Sequence, residues 1–165
     1  MRPRGIVEGI GGGVIGAVLM YGFALSFRAH GIDCWAVLKC PVFPAAMHPG
    51  FDLAPLMAGL VSQLLVGSCW GMLFGMLFVR ARVTTTIVAG PLWGLVVWLV
   101  MYYAILPAFN MRLYVSTSVP LWAAALHVVF GVGVGVTVAI LHANRGPTGD
   151  TIHFGTGWSH RPDHG

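Results

Sequence analysis

The sequence predicts an all-α integral membrane protein, a bundle of four helices arranged as two repeated hairpins. Composition gives the first reason: of 165 residues, 57% are hydrophobic and 8% charged, where a soluble domain carries about 25% charged residues. The second is that four runs contain no Asp, Glu, Lys or Arg: Gly9 to Phe27, Leu53 to Val79, Val83 to Met111 and Leu113 to Asn144. Each approaches or exceeds the roughly 20 residues that a helix needs to cross the hydrocarbon. The third is the placement of basic residues. With four spans, Arg2, Arg4, Arg80, Arg82, Arg145 and Arg161 fall on one side, and Arg28, Lys39 and Arg112 on the other. The more basic side is read as cytoplasmic, with both termini on it. The expected spans are about 6–27, 53–79, 84–108 and 119–142, in a transmembrane domain of residues 1–144 followed by a polar cytoplasmic tail, 145–165. The net charge of +4 is absorbed by this asymmetry and by attraction to anionic lipid headgroups. There is no Lys/Arg cluster on which a nucleic acid could bind.

The first run follows Arg2 and Arg4 and ends in the small residues of ALSFRAH, features shared with a secretory signal. Its 19 charge-free residues exceed the roughly 7–15 of a signal core, so it is expected to remain as a span. It opens on Gly11 to Gly13 and continues to Gly16. Glycine weakens a helix in water, but between membrane helices it lets two backbones approach closely. Glu8 is expected in the first turn, complementing the positive end of the helix dipole. The alternative role for it is in proton transfer.

Residues 28–50 form the longest connection, with three prolines and no apolar run long enough to cross. On this topology it is external, in an oxidising compartment, where Cys34 and Cys40 could close a small disulfide loop or stay as two thiols. Asp52 is placed to cap the second span, and Pro55 is tolerated in its first turn. Cys69 reads as a small buried packing residue. The turn VRARVTTT is short, so spans two and three are expected to form a tight hairpin. Pro91 in span three removes a backbone donor and is expected to bend the helix. Tyr102, Tyr103 and Trp122 suit the outer aromatic belt.

The fourth span holds the chain's one imidazole deep within a run. His127, Gly131 and Gly135 recur every fourth residue and share one helix face. In the same way Gln63 precedes Gly67 and Gly71 in span two, and Gly12 and Gly16 of span one align with Gly90 and Gly94 of span three. This suggests a parallel duplication of one hairpin about an axis along the membrane normal. The eight glycines are read as helix-packing positions. Gln63 and His127 would stand at matching depth and could hydrogen-bond one another, because an unpaired polar group in hydrocarbon costs several kcal/mol.

The order of motifs is Gln63 before G-x-x-x-G, then GPLWGLVVW (Gly90 to Trp98) with a later Pro107, then H-x-x-x-G-x-x-x-G. It resembles small uncharacterised bacterial four-helix membrane protein families. The resemblance covers roughly Gly12 to Asn144 and puts Gln63 where many members would carry a second His. It implies a bacterial inner-membrane setting and no particular activity.

An ionisable side chain within a span is by default a functional candidate. A haem iron or a chlorophyll or bacteriochlorophyll magnesium could take the His127 nitrogen, with the neighbouring glycines making room for the macrocycle. The simpler reading is a neutral His bonded across a helix interface. The tail is rich in Gly and polar residues and would order only on a partner that receives Ile152, Phe154 and Trp158 as anchors. His153, His160 and His164 in that tail match no established zinc spacing. The sequence has no phosphate-binding loop, no dinucleotide fingerprint and no C-x-x-C-H, and no carboxylate or base is expected inside a span to couple an ion gradient. These features favour a non-catalytic accessory subunit of a larger membrane complex in respiratory or photosynthetic electron transfer, partnered by other membrane subunits and lipid. The alternatives are a haem- or chlorophyll-binding protein using His127, and a small oligomeric carrier or channel.

Overall fold

The computed structural model describes residues 3–31, 53–105, 108 and 119–144. Cys34, Cys40, Asp52 and the tail with Ile152, Phe154 and Trp158 lie outside them. The described residues form four helices: α1 (Pro3–Ala29), α2 (Leu53–Phe78), α3 (Val83–Val100) and α4 (Val119–Ala143). Each is long and apolar enough to cross a membrane once α3 is taken together with the turn that follows it. At 1.5 Å per residue the 27 residues of α1 rise about 40 Å, more than the roughly 30 Å of hydrocarbon.

α3 runs through Pro91 and passes directly into a π-helical turn, Met101–Ile105. Tyr102 is buried and Tyr103 faces out, so only Tyr103 and the exposed Trp122 remain as belt residues.

Neighbouring helices are antiparallel, and both ends of the described chain, Pro3 and Asn144, lie at the end that also carries the turn from Val79 to Arg82. Close packing runs along three seams, α1–α2, α3–α4 and α1–α4, while α2 and α3 approach little along their length. This corrects the expected tight α2–α3 hairpin. The connection is short, but the large side chains between the two helices keep them apart. Trp93 of α3 meets Trp70 and Phe74 of α2, each at a ring-centroid distance of 5.9 Å.

The core lies between the two hairpins and is centred on Ala24 of α1, Phe74 of α2 and Leu126, Val134 and Val138 of α4. Tyr21, buried on α1, donates its hydroxyl hydrogen to the Leu56 carbonyl of α2 at 2.8 Å. The outer surface is as apolar as the core, with Leu53, Leu65, Leu77 and Leu121 all exposed. Lipid tails are as apolar as Leu, so association of these helices rests on close packing and not on the exclusion of water.

Candidate functional site

Three features carry whatever chemistry the bundle has: the glycine seams, His127, and a buried pair, Glu8 with His142, at the end where the termini meet.

On the α1–α2 seam Gly67, Gly71 and Gly75 oppose Gly5, Gly9 and Gly13. A Cβ on Gly71 would lie 2.5 Å from Gly13 Cα, and one on Gly75 would lie 2.7 Å from Gly9 Cα. On the α3–α4 seam, Cβ atoms on Gly131 and Gly135 would each lie 2.9 Å from a glycine Cα, of Gly94 and Gly90 respectively. Backbone therefore lies on backbone, at separations that no other residue allows. Gly12 and Gly16 do not belong to the α1–α2 seam. They face α4, where a Cβ on Gly16 would come 2.6 Å from the Phe130 carbonyl oxygen and one on Gly133 would come 2.8 Å from Gly16 Cα. α1 thus uses two glycine faces: positions 5, 9 and 13 toward α2, and 12 and 16 toward α4. Gly11 and Gly22 have no atom within 4 Å of a would-be Cβ, and Gly22 is exposed.

His127 is largely buried on α4. Its Nδ1 lies 2.7 Å from the Ala123 carbonyl oxygen of its own helix. A carbonyl only accepts, so Nδ1 carries the proton and Nε2 keeps a lone pair. The glycines next to His127 do not open a slot for a macrocycle, because the space beside Gly131 and Gly135 is filled by the backbone of α3.

The sequence places Glu8 in a first helical turn. In the structure α1 begins at Pro3, which carries Glu8 beyond the first turn and onto the α1–α4 seam. Its Oε2 lies 2.9 Å from Nε2 of His142, with the side chains 3% and 11% exposed. The two atoms lie at ion-pairing distance, and the pair is charged on both sides only when the imidazole is protonated. A carboxylate is therefore buried inside an apolar helix, against the expectation that no span holds one. Glu8 stands four residues before Gly12, and His142 four after Val138; because Gly12 packs on Val138, the two side chains meet one turn further along the seam.

Cys69 is exposed and free, not buried as expected, because it stands two residues from both Gly67 and Gly71 on the opposite face of α2. The hydroxyls of Ser62, Ser68 and Thr86 are bonded to carbonyls of their own helices. The indole N–H groups of Trp93 and Trp98 are buried without a hydrogen-bond partner among the described residues. No cluster of three or more His, Cys, Asp or Glu able to hold a metal occurs among them. Searches of protein families, curated proteins and solved structures found no match to this chain.

Proposed function

We propose that the chain is a non-catalytic accessory subunit of a larger membrane complex, set in the bacterial inner membrane with both termini cytoplasmic. Electron transfer is the setting we favour. The close helix seams are occupied by backbone contacts and the α2–α3 gap by aromatic rings, which argues against a polar path through one copy and so against a carrier or channel. The observation that carries the reading is on the outer face of α1. Gly22, with nothing within 4 Å of its would-be Cβ, stands four residues before Ser26, and both are exposed. This is the small-x-x-x-small pattern by which membrane helices dock, left open among the described residues. Inner-membrane placement follows the sequence resemblance, and the sidedness follows the basic residues. The two hairpins are read as copies, in the register that aligns Gly67, Gly71 and Gly75 with His127, Gly131 and Gly135, one turn away from the register suggested by sequence.

The test is co-purification from the native membrane in mild detergent. Gly22→Leu and truncation after Arg145 should each leave the four-helix body folded and reduce the recovery of co-purifying subunits. The truncation acts through Ile152, Phe154 and Trp158, whose anchoring would contribute about 1.5–3 kcal/mol for each large side chain fully buried. If both variants retain partners as well as the full chain does, the reading fails.

A second reading has one observation in its favour. The Nδ1 bond of His127 leaves Nε2 as the ligating nitrogen, the arrangement found at metal-bound histidines whose second nitrogen donates to a carbonyl. Haem or chlorophyll ligation would give the solubilised protein an absorption band that His127→Ala removes. A colourless wild-type protein, purified from its own membrane, rejects it.

A further inference from the structure

We propose that the α2–α3 side of the bundle binds an anionic phospholipid of the surrounding bilayer, with the phosphate on Arg80 and Arg82 and one acyl chain along the rim of the two helices. The width of this side is the first observation. The other three sides are closed by backbone contacts at glycines, and on the α1–α4 side a Cβ on Gly12 would lie 3.1 Å from the Val134 carbonyl oxygen. On the α2–α3 side the corresponding space holds Trp93 against Trp70 and Phe74, and the helices approach little along their length. Trp70 and Trp93 are only half-buried, so the rings fill the inner part of the gap and leave a furrow outside it. Leu77 stands three residues after Phe74, and Val96 three after Trp93, which sets both on the rim of that furrow. They are 67% and 44% exposed.

Charge is the second observation. The short turn that closes this side carries Arg80 and Arg82, both exposed. The exposed Arg4 of α1 stands beside them, since a Cβ on its neighbour Gly5 would lie 2.9 Å from Val79 Cγ2. Glu8 is the one acidic residue among the described residues, and it is buried on the α1–α4 seam, across the bundle from this side. Three exposed cations therefore gather at one end with no exposed acid among the described residues. Guanidinium binds phosphate through paired, charge-assisted hydrogen bonds, and basic groups between membrane helices take anionic headgroups. Leu77 stands three residues before Arg80, so cations and furrow are continuous. A molecule with an anionic head and an apolar chain uses both, whereas a free phosphate uses the first alone. A zwitterionic headgroup brings its own cation, which competes with the arginines for its phosphate.

The test is native mass spectrometry of the full chain offered equal amounts of phosphatidylglycerol and phosphatidylcholine with the same acyl chains. The wild-type protein should retain phosphatidylglycerol in preference. Arg80→Gln and Arg82→Gln should each reduce that preference by roughly fivefold, the equivalent of about 1 kcal/mol for one basic residue near the membrane surface. Lys39→Gln, which removes a charge from the segment joining α1 to α2, should leave it unchanged. Phosphatidylglycerol with a photoreactive diazirine in its acyl chain should crosslink to Leu77 or Val96 of the wild-type protein in preference to Val7 of α1 and Ile140 of α4, which are also exposed. This arm needs no variant, so it holds even if an arginine variant fails to insert. Equal retention of the two lipids overturns the proposal, as it would if Asp150 and Asp163 of the tail occupied the arginines. A loss in Lys39→Gln as large as in the arginine variants, or crosslinks spread evenly over the four helices, also overturns it. Displacement of the lipid by glycerol phosphate would mean a site for a small anion and would overturn it as well. Because none of these measurements needs a partner subunit, their failure is separate from failure of the accessory-subunit reading.

Discussion

At the scale of single residues, a glycine's importance depends on what its missing side chain lets approach. Gly71→Ala would drive a methyl into the Gly13 backbone at 2.5 Å, whereas Gly22→Ala meets nothing within 4 Å. Overpacking of this kind costs about 1–3 kcal/mol. Reversible unfolding in mixed micelles should therefore show that loss for Gly71→Ala and none for Gly22→Ala, and equal effects would mean that the α1–α2 seam is looser than its geometry. Gly133→Leu should damage folding as badly as Gly131→Leu and Gly135→Leu, though at a different seam, since Gly133 lies on Gly16 while the others lie on α3. The recurrence of glycine every fourth residue was legible in the sequence. Which helix each face meets was not, because a period fixes a direction around one helix and says nothing about its neighbour.

At the scale of elements, the turn between α2 and α3 is short while the helices it joins are held apart by Trp70, Phe74 and Trp93. Every close seam either lies within a hairpin or joins α1 to α4. Cutting the chain between Ala81 and Arg82 and co-expressing the halves should therefore leave both hairpins inserted and associated, with one tagged half recovering the other from detergent. Recovery of the tagged half alone would mean that the covalent turn, and not the α1–α4 seam, holds the hairpins together. Span limits were readable within a few residues, since length and charge set them. The π turn at Met101–Ile105 was not, because its cause is not a local residue preference that composition reveals. Within it Tyr102 is buried and Tyr103 exposed, so two residues that the sequence places in one belt face different ways.

At the scale of the whole molecule, the expected sidedness has a direct check. An impermeant thiol reagent applied to intact spheroplasts after mild reduction should label Cys34 or Cys40 and leave Cys69 unmodified. Cys69 is exposed on the side of α2 but would be covered there by lipid. Labelling of the loop confined to inside-out vesicles would reverse the topology. The sequence by itself determined that this chain is four apolar helices with glycine-lined faces, because hydrocarbon demands long uncharged helices that satisfy their own backbone. It could not distinguish inside from outside among residues that are equally apolar. In water, polarity marks the exposed face of a helix; in lipid both faces are hydrophobic, and only packing separates them. The pairing of α1 with both α2 and α4, the outward turn of Cys69, the intrahelical bond of His127 and the meeting of Glu8 with His142 were therefore decided by the tertiary structure, since each depends on which backbones can approach closely enough to touch.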